Sequence, residues 1–144
     1  MTDNLIITIS RQYGSDGKIV AKKLSEKLGI EYYDKEIIKL SAKEYGISEE
    51  MFEIADEMPS NSFLYSLSMG AGGFSGGSNF ADALSNDKLF IMQSKVIKQL
   101  ADKSSCIIVG RCADYILREY PNTVNVFLHA SEEYRKLKIM NMFG

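Results

Sequence analysis

Residues 6–18, IITISRQYGSDGK, decide the fold that this sequence predicts. Residues 5–9 are a short apolar, β-branched run of the kind that forms a buried parallel strand, and we expect this strand to be central in its sheet. A loop follows that carries Gly14, Gly17 and Lys18. The next residues, IVAKKLSEKLG, have apolar side chains at helical spacing and a glycine where a helix would end. This opening therefore predicts a strand, a glycine-containing loop and an amphipathic helix.

The same alternation of strands and helices continues along the chain. Further strands are predicted at IEYYD (30–34), CIIVG (106–110) and TVNVFLHA (123–130). Apolar spacing and capping residues predict helices over 35–45, 48–58, 85–103, 113–120 and from Ser131 onward. This alternation indicates an α/β fold with a parallel sheet, in which ligands bind at the carboxyl ends of the strands.

Composition places the chain among ordinary globular proteins. Its 144 residues suffice for one domain with a sizeable core, and 45% are hydrophobic against 25% charged. The net charge of −2 gives no overall basic field, so no nucleic-acid partner is expected. Cys106 and Cys112 lack the spacing of a zinc site or a disulfide framework. The N-terminus has neither the positive charge nor the apolar length of a signal peptide or membrane span, so we expect a cytoplasmic protein without a membrane partner.

One segment departs from this regular pattern. Residues 66–79 contain five glycines and four serines, a composition typical of linkers. In a compact domain, a long segment of this kind is more often a lid or binding loop than a domain boundary. We therefore expect residues 46–86 to be a helical, Gly/Ser-rich insertion near the site of a phosphate acceptor.

The loop after the first strand has the chemistry of a phosphate site without its strict pattern. Successive backbone N–H groups and a helix N-terminus attract anions, and glycines let a ligand approach the backbone. The pattern GxxxxGK[ST] is not met, because Gln12 stands at its first glycine and Ile19 at its Ser/Thr position. From these residues alone, a phosphate loop and a plain tight turn are about equally well supported.

Longer stretches resemble a known family. ISRQYGSDGKIVAKKLSEKLGI (9–30) looks like the opening of bacterial cytidylate kinases, and IEYYDKEII (30–38) resembles the start of their monophosphate site. IIVGRCADYIL (107–117) and VNVFLHASEEYRKLKI (124–139) resemble two further strand and helix pairs of those kinases. Taken whole, the chain resembles the cytidylate kinase-like family. That resemblance implies a P-loop NTPase-like parallel sheet flanked by helices, of the nucleoside monophosphate kinase type, over residues 1–144, with a lid and a final helix expected to follow.

The resemblance also implies a donor site for ATP with Mg²⁺ in the loop. The family's phosphate-loop lysine falls on Gly17, so the electrostatic catalyst is either Lys18, after a shift of one residue, or Arg11. The residues expected to hold the donor phosphates are Gly14, Ser15, Asp16, Gly17 and Lys18. No residue is assigned as a magnesium ligand, since Ile19 replaces the usual Ser/Thr and leaves only Ser10, Ser15 or Asp16 nearby.

Asp34 and Arg111 are expected to face the acceptor, because both come just after predicted strands. An N-cap role for Asp34 and a surface ion pair for Arg111 are the alternatives. In cytidylate kinases an arginine follows the aspartate, where Lys39 and Leu40 stand here, and Cys112 replaces an aspartate after Gly-Arg. Recognition of a cytosine nucleotide is therefore not implied, and the acceptor stays open.

Together these features predict a cytidylate kinase-like phosphotransferase that moves the γ-phosphoryl group of ATP to a small acceptor, with nucleoside monophosphates as the first candidates. A non-catalytic nucleotide or phosphate sensor with a degenerate phosphate loop is the alternative. A third interpretation is a self-associating domain that forms a homo-oligomer.

Overall fold

The computed structural model describes residues 3–50 and 86–143. The strands are β1 (Ile6–Arg11), β2 (Glu31–Tyr33), β3 (Cys106–Val109) and β4 (Thr123–Leu128). The helices are α1 (Gly17–Leu28), α2 (Glu36–Tyr45), α3 (Asn86–Lys103), α4 (Ala113–Ile116) and α5 (Glu132–Phe143). Most of the helix expected over 48–58, and the Gly/Ser-rich segment, lie outside the described residues.

The four strands form one parallel sheet with the order β2-β3-β1-β4, which confirms the α/β prediction. Ile9 of β1 pairs with Val109 of β3 on one side and with Val126 of β4 on the other. β1 is therefore an inner strand, as its unbroken apolar run predicted. The sheet and α1 share a core made of Ile7, Ile9, Ala21, Ile107 and Val109.

This strand order creates a crevice at the carboxyl ends of β1 and β3. The chain leaves β1 and crosses past β3 to reach β2, whereas it leaves β3 and crosses past β1 to reach β4. Connections that leave two neighbouring strands in opposite directions open a gap outside the sheet, where α/β proteins bind their ligands. Arg11 ends β1, and Gly110 directly follows β3.

Local signals set the helix ends. Gly29 ends α1 in a left-handed conformation, with φ of 68°, and its N–H donates to the Ser25 carbonyl at 2.8 Å. The Ser131 hydroxyl accepts a hydrogen bond from the Tyr134 N–H at 3.2 Å, which caps the start of α5 as predicted.

The chain divides into two compact units, residues 1–34 with 97–144, and residues 35–96. The first contains the sheet with α1, α4 and α5. In the second, α2 and the first part of α3 carry buried apolar residues, among them Ile37, Ile38, Leu89 and Val96. None of the helices in the described parts of the chain is long and apolar enough to cross a membrane.

Candidate functional site at the carboxyl ends of β1 and β3

The β1–α1 loop (residues 12–16) is a tight turn that is tied to the end of β4. Both the N–H and the hydroxyl of Ser15 donate to the Gln12 carbonyl, at 3.2 Å and 2.6 Å. The Gln12 N–H donates to the Leu128 carbonyl at 3.0 Å, and the Gln12 side-chain oxygen accepts from the Ala130 N–H at 3.2 Å. Gln12, which sequence reasoning considered only as a break in the phosphate-loop pattern, therefore anchors the loop.

Two residues of this loop have left-handed backbone conformations. Gly14 has φ of 83°, and a Cβ atom there would lie 2.9 Å from the Arg135 carbonyl oxygen of α5. Asp16 has φ of 64° and stands immediately before α1. Turns of this kind can direct backbone N–H groups into an anion-binding concavity, although the Ser15 N–H between these two residues donates to the Gln12 carbonyl. Position 14 requires glycine because the backbone of α5 passes directly against it.

The Arg11 side chain extends across the crevice from α1 to the end of β3. A Cβ atom added to Gly17 would lie 2.8 Å from Arg11 Cγ, and one added to Gly110 would collide with Arg11 Nη1. The stem of Arg11 therefore packs on the first residue of α1, while its guanidinium lies against Gly110. Arg11 therefore packs against Gly17, the position on which the sequence resemblance would place the lysine of the family's phosphate loop.

The turn after β3 is strained. Gly110, Arg111 and Cys112 are three consecutive residues with positive φ, at 69°, 60° and 55°. A left-handed conformation costs a non-glycine residue roughly 1–2 kcal/mol, so the backbone conformation of this turn is unfavourable at both Arg111 and Cys112. Backbone strain of this kind is concentrated at binding and catalytic sites in proteins.

The other predicted site residues lie in α1, after β3 and after β2. Lys18 is exposed, as the second residue of α1. Arg111 is half-buried and directly follows Gly110, against which Arg11 lies. Asp34 is half-buried and follows β2, one strand beyond β3, which corresponds to about 5 Å along the sheet. The N-cap position of α2 is occupied by Lys35 rather than Asp34.

Asp16 binds two groups of α5 that sequence reasoning did not single out. The Tyr134 hydroxyl donates to Asp16 Oδ2, and Lys138 Nζ lies 3.2 Å from the same oxygen. The Tyr134 hydrogen bond, assisted by Lys138, lowers the pKa of Asp16, while Asp16 raises the pKa of both Tyr134 and Lys138. Tyr134 and Lys138 are four residues apart, so they share one face of α5. That spacing is visible in the sequence, but it does not indicate what the face contacts.

The chain is similar to a known protein family over nearly its whole length. The model of the cytidylate kinase-like family matches residues 6–144. The chain belongs to the cytidylate kinase-like family. A crystal structure of an uncharacterized protein from Eubacterium ventriosum ATCC 27560 is similar, with a TM-score of 0.60 and 26% identity over 98% of this chain. This chain spans 63% of the length of that one. No curated protein matches.

Kinase-like proteins in general use nucleotides with Mg²⁺, which binds oxygen ligands such as carboxylates and hydroxyls. The described residues contain no group of three or more His, Cys, Asp or Glu side chains that could hold a metal ion. In the β1–α1 loop, the Ser15 hydroxyl is directed to the Gln12 carbonyl, and the Asp16 carboxylate is bound by Tyr134 and Lys138. These residues do not fit a dedicated magnesium site.

Proposed function

We propose that the protein is a phosphotransferase that moves the γ-phosphoryl group of ATP to a small acceptor, with nucleoside monophosphates as the first candidates. The observation that carries this proposal is the position of Arg11. Its guanidinium lies at the carboxyl ends of β1 and β3, between the start of α1 and the turn after β3. A parallel α/β sheet binds its ligands at this edge, and membership of a cytidylate kinase-like family makes a nucleotide the leading candidate.

The donor phosphates would bind at the β1–α1 loop and the first turn of α1. Gly14, Asp16, Gly17 and Lys18 would supply backbone N–H groups there, and the helix N-terminus adds partial positive charge, whereas the Ser15 N–H is bonded to the Gln12 carbonyl. This P-loop-like arrangement needs no particular side chain for its first contacts. ATP is supplied as its magnesium complex, since the described loop residues do not fit a resident magnesium site.

Arg11 is the group that we propose to stabilise the transferred phosphoryl. In the reaction, an acceptor oxygen forms a bond to the γ-phosphorus while the bond to the β–γ bridging oxygen breaks. ADP leaves with that electron pair, and the acceptor proton passes to solvent. Such a transfer depends mainly on positioning and charge neutralisation. A guanidinium can bind two phosphate oxygens at once, and the Arg11 side chain packs against Gly17 and Gly110. Lys18, exposed on α1, is the second candidate cation.

Asp34 and Arg111 would bind the acceptor. Both follow strands at the same edge of the sheet, and Arg111 has a strained, left-handed backbone of the kind that is concentrated at functional sites. Arg111 would hold the acceptor's own phosphate, and Asp34 would accept hydrogen bonds from its hydroxyl or amino groups.

The test is phosphorus NMR of the full-length protein with Mg–ATP and a panel of nucleoside monophosphates. Transfer to one acceptor is expected, and Arg11→Met should slow single-turnover transfer by about 100-fold, the usual effect of removing one electrostatic group. Lys18→Met tests the second candidate cation and should slow transfer by less than about tenfold, as expected for a screened surface charge, and a larger loss than that of Arg11→Met would assign the role to Lys18. Equal rates for wild type and Arg11→Met would remove Arg11 from the mechanism.

A non-catalytic nucleotide sensor is the second candidate. Two observations favour it: Ile19 stands where a phosphate loop has Ser or Thr, and an acid, Asp16, lies within the loop itself. A sensor would bind Mg–ATP without forming product with any acceptor. The same NMR experiment, preceded by calorimetric titration of Mg–ATP, therefore separates the two functions.

A further inference from the structure

Asp16 is in an unusual position for a carboxylate in a phosphate-binding loop. It occupies the N-cap of α1, where an aspartate normally accepts a hydrogen bond from the first turn, yet its side chain makes no capping hydrogen bond. Instead, its Oδ2 atom is bound by the Tyr134 hydroxyl and by Lys138, both on α5. The Lys138 ammonium also lies 5.7 Å from the centre of the Tyr134 ring.

This link joins α5 to the β1–α1 loop. None of the residues of α5 is fully buried. Its backbone touches the β1–α1 loop at Gly14, opposite Arg135. The carboxylate of Asp16 therefore holds a cation of α5 beside the N–H groups to which we assign the donor phosphates.

The Asp16 carboxylate and a bound nucleotide phosphate would compete for the Lys138 ammonium. A nucleotide phosphate bound at the start of α1 would be repelled by the Asp16 carboxylate and attracted by the Lys138 ammonium. Lys138 is 37% exposed and has a long, flexible side chain, so it can exchange one anion for another without a change of fold. While it is paired with Asp16, its charge is largely offset for an incoming phosphate.

We propose that Lys138 is a further phosphate-binding group of the donor site and that Asp16 is its resident counter-ion, which the nucleotide phosphate replaces on binding. This inference rests on the proposed function. Asp16 thus lowers the affinity of the site for polyphosphate, and Lys138 contributes fully only after it has left Asp16.

The test is a double-mutant cycle on the full-length protein, with inorganic tripolyphosphate as the probe and calorimetry as the readout. Asp16→Asn should tighten binding by about 3- to 10-fold, because it removes the repelling charge. Lys138→Met should weaken binding by about twofold in the wild-type background and by about 5- to 10-fold in the Asp16→Asn background. Asp16→Gly serves as a second variant that also removes the carboxylate. Glycine adopts the left-handed backbone conformation at this position without strain, so the substitution should not disturb the loop.

Lys136→Met is the matched control. Lys136 lies on the same helix and makes an exposed ion pair with Glu132 at 2.7 Å, so its removal changes the net charge equally without touching Asp16. An equal effect of Lys136→Met would overturn the inference, because it would show a general charge effect. Additive effects in the cycle, or a smaller effect of Lys138→Met in the Asp16→Asn background, would also overturn it. Binding of tripolyphosphate by no variant would overturn the proposed function together with the inference.

Discussion

Replacing Gly110 by alanine should separate the stability of the strained turn from the function of Arg11. Gly110 has φ of 69°, a conformation that costs alanine roughly 1–2 kcal/mol relative to glycine. The new methyl group would also occupy the place of Arg11 Nη1. Because this atom is the tip of an exposed, flexible side chain, moving it should add little to the loss of stability.

Gly29→Ala is the matched control for the backbone. Gly29 has φ of 68°, nearly the same as Gly110, and a Cβ atom there would meet nothing within 4 Å. Both variants should therefore lose about 1–2 kcal/mol of unfolding free energy, which corresponds to a fall of about 3–8 °C in Tm for a domain of this size. Gly17→Ala is the complementary change, because it presses on Arg11 Cγ from the other side without a positive φ.

Gly110→Ala and Gly29→Ala should differ in their affinity for Mg–ATP. A hydrogen bond to a charged group contributes about 1.5–3 kcal/mol, so displacing the guanidinium should weaken Mg–ATP binding by about 10- to 100-fold in Gly110→Ala. Gly29→Ala should bind like the wild type. Calorimetric titration gives the affinities and thermal unfolding gives the stabilities. If Gly110→Ala and Gly29→Ala bind Mg–ATP equally well, the contact between Arg11 and Gly110 has no part in the site.

Three further predictions concern other groups of the protein. Burial raises the pKa of Cys106 to about 11, so iodoacetamide at pH 8 should modify exposed Cys112 and leave Cys106 intact until the protein unfolds, as mass spectrometry would show. Ser131→Ala should destabilise the protein by about 1 kcal/mol in urea unfolding, since it removes the cap of α5, and an unchanged midpoint would mean that the cap contributes nothing. The pKa of Asp16 is lowered chiefly by the Tyr134 hydroxyl, so its contribution to stability is complete above the ordinary pKa of aspartate and disappears as the pH falls through the lowered value. Tyr134→Phe should raise the Asp16 titration midpoint measured by carbon NMR, and an unmoved midpoint would contradict this hydrogen bond.

Much of the fold was predictable because its signals are local. The apolar run over 5–9 predicted an inner strand, and the structure has β1 between β3 and β4. Helical spacing with Gly29 at its end predicted α1 to within a residue. Ser131 predicted the start of α5. Each of these signals acts between residues that are at most a few positions apart, so the sequence displays it directly.

The candidate site was only partly predictable. The sequence could name a candidate location at the carboxyl ends of the strands and Arg11 as a candidate cation, and both roles stay predictions. The roles of Gly110 and Lys138 could not be named from it, because nothing in their local sequence indicates which residue each would contact. Gln12 looked like a defect in a phosphate-loop pattern, whereas its backbone and side chain attach the loop to the end of β4.

By itself, the sequence determined which segments are strands and helices, the family, and the presence of a glycine-containing loop before α1. Only the tertiary structure decided that Arg11 lies against Gly110 and that Asp16 binds Lys138. These partners are about a hundred residues apart in the chain, and they meet because β3 and β4 pair with β1 on opposite sides. Parallel pairing aligns the carboxyl ends of strands that are distant in sequence, so side chains with no local relationship become neighbours at one edge of the sheet.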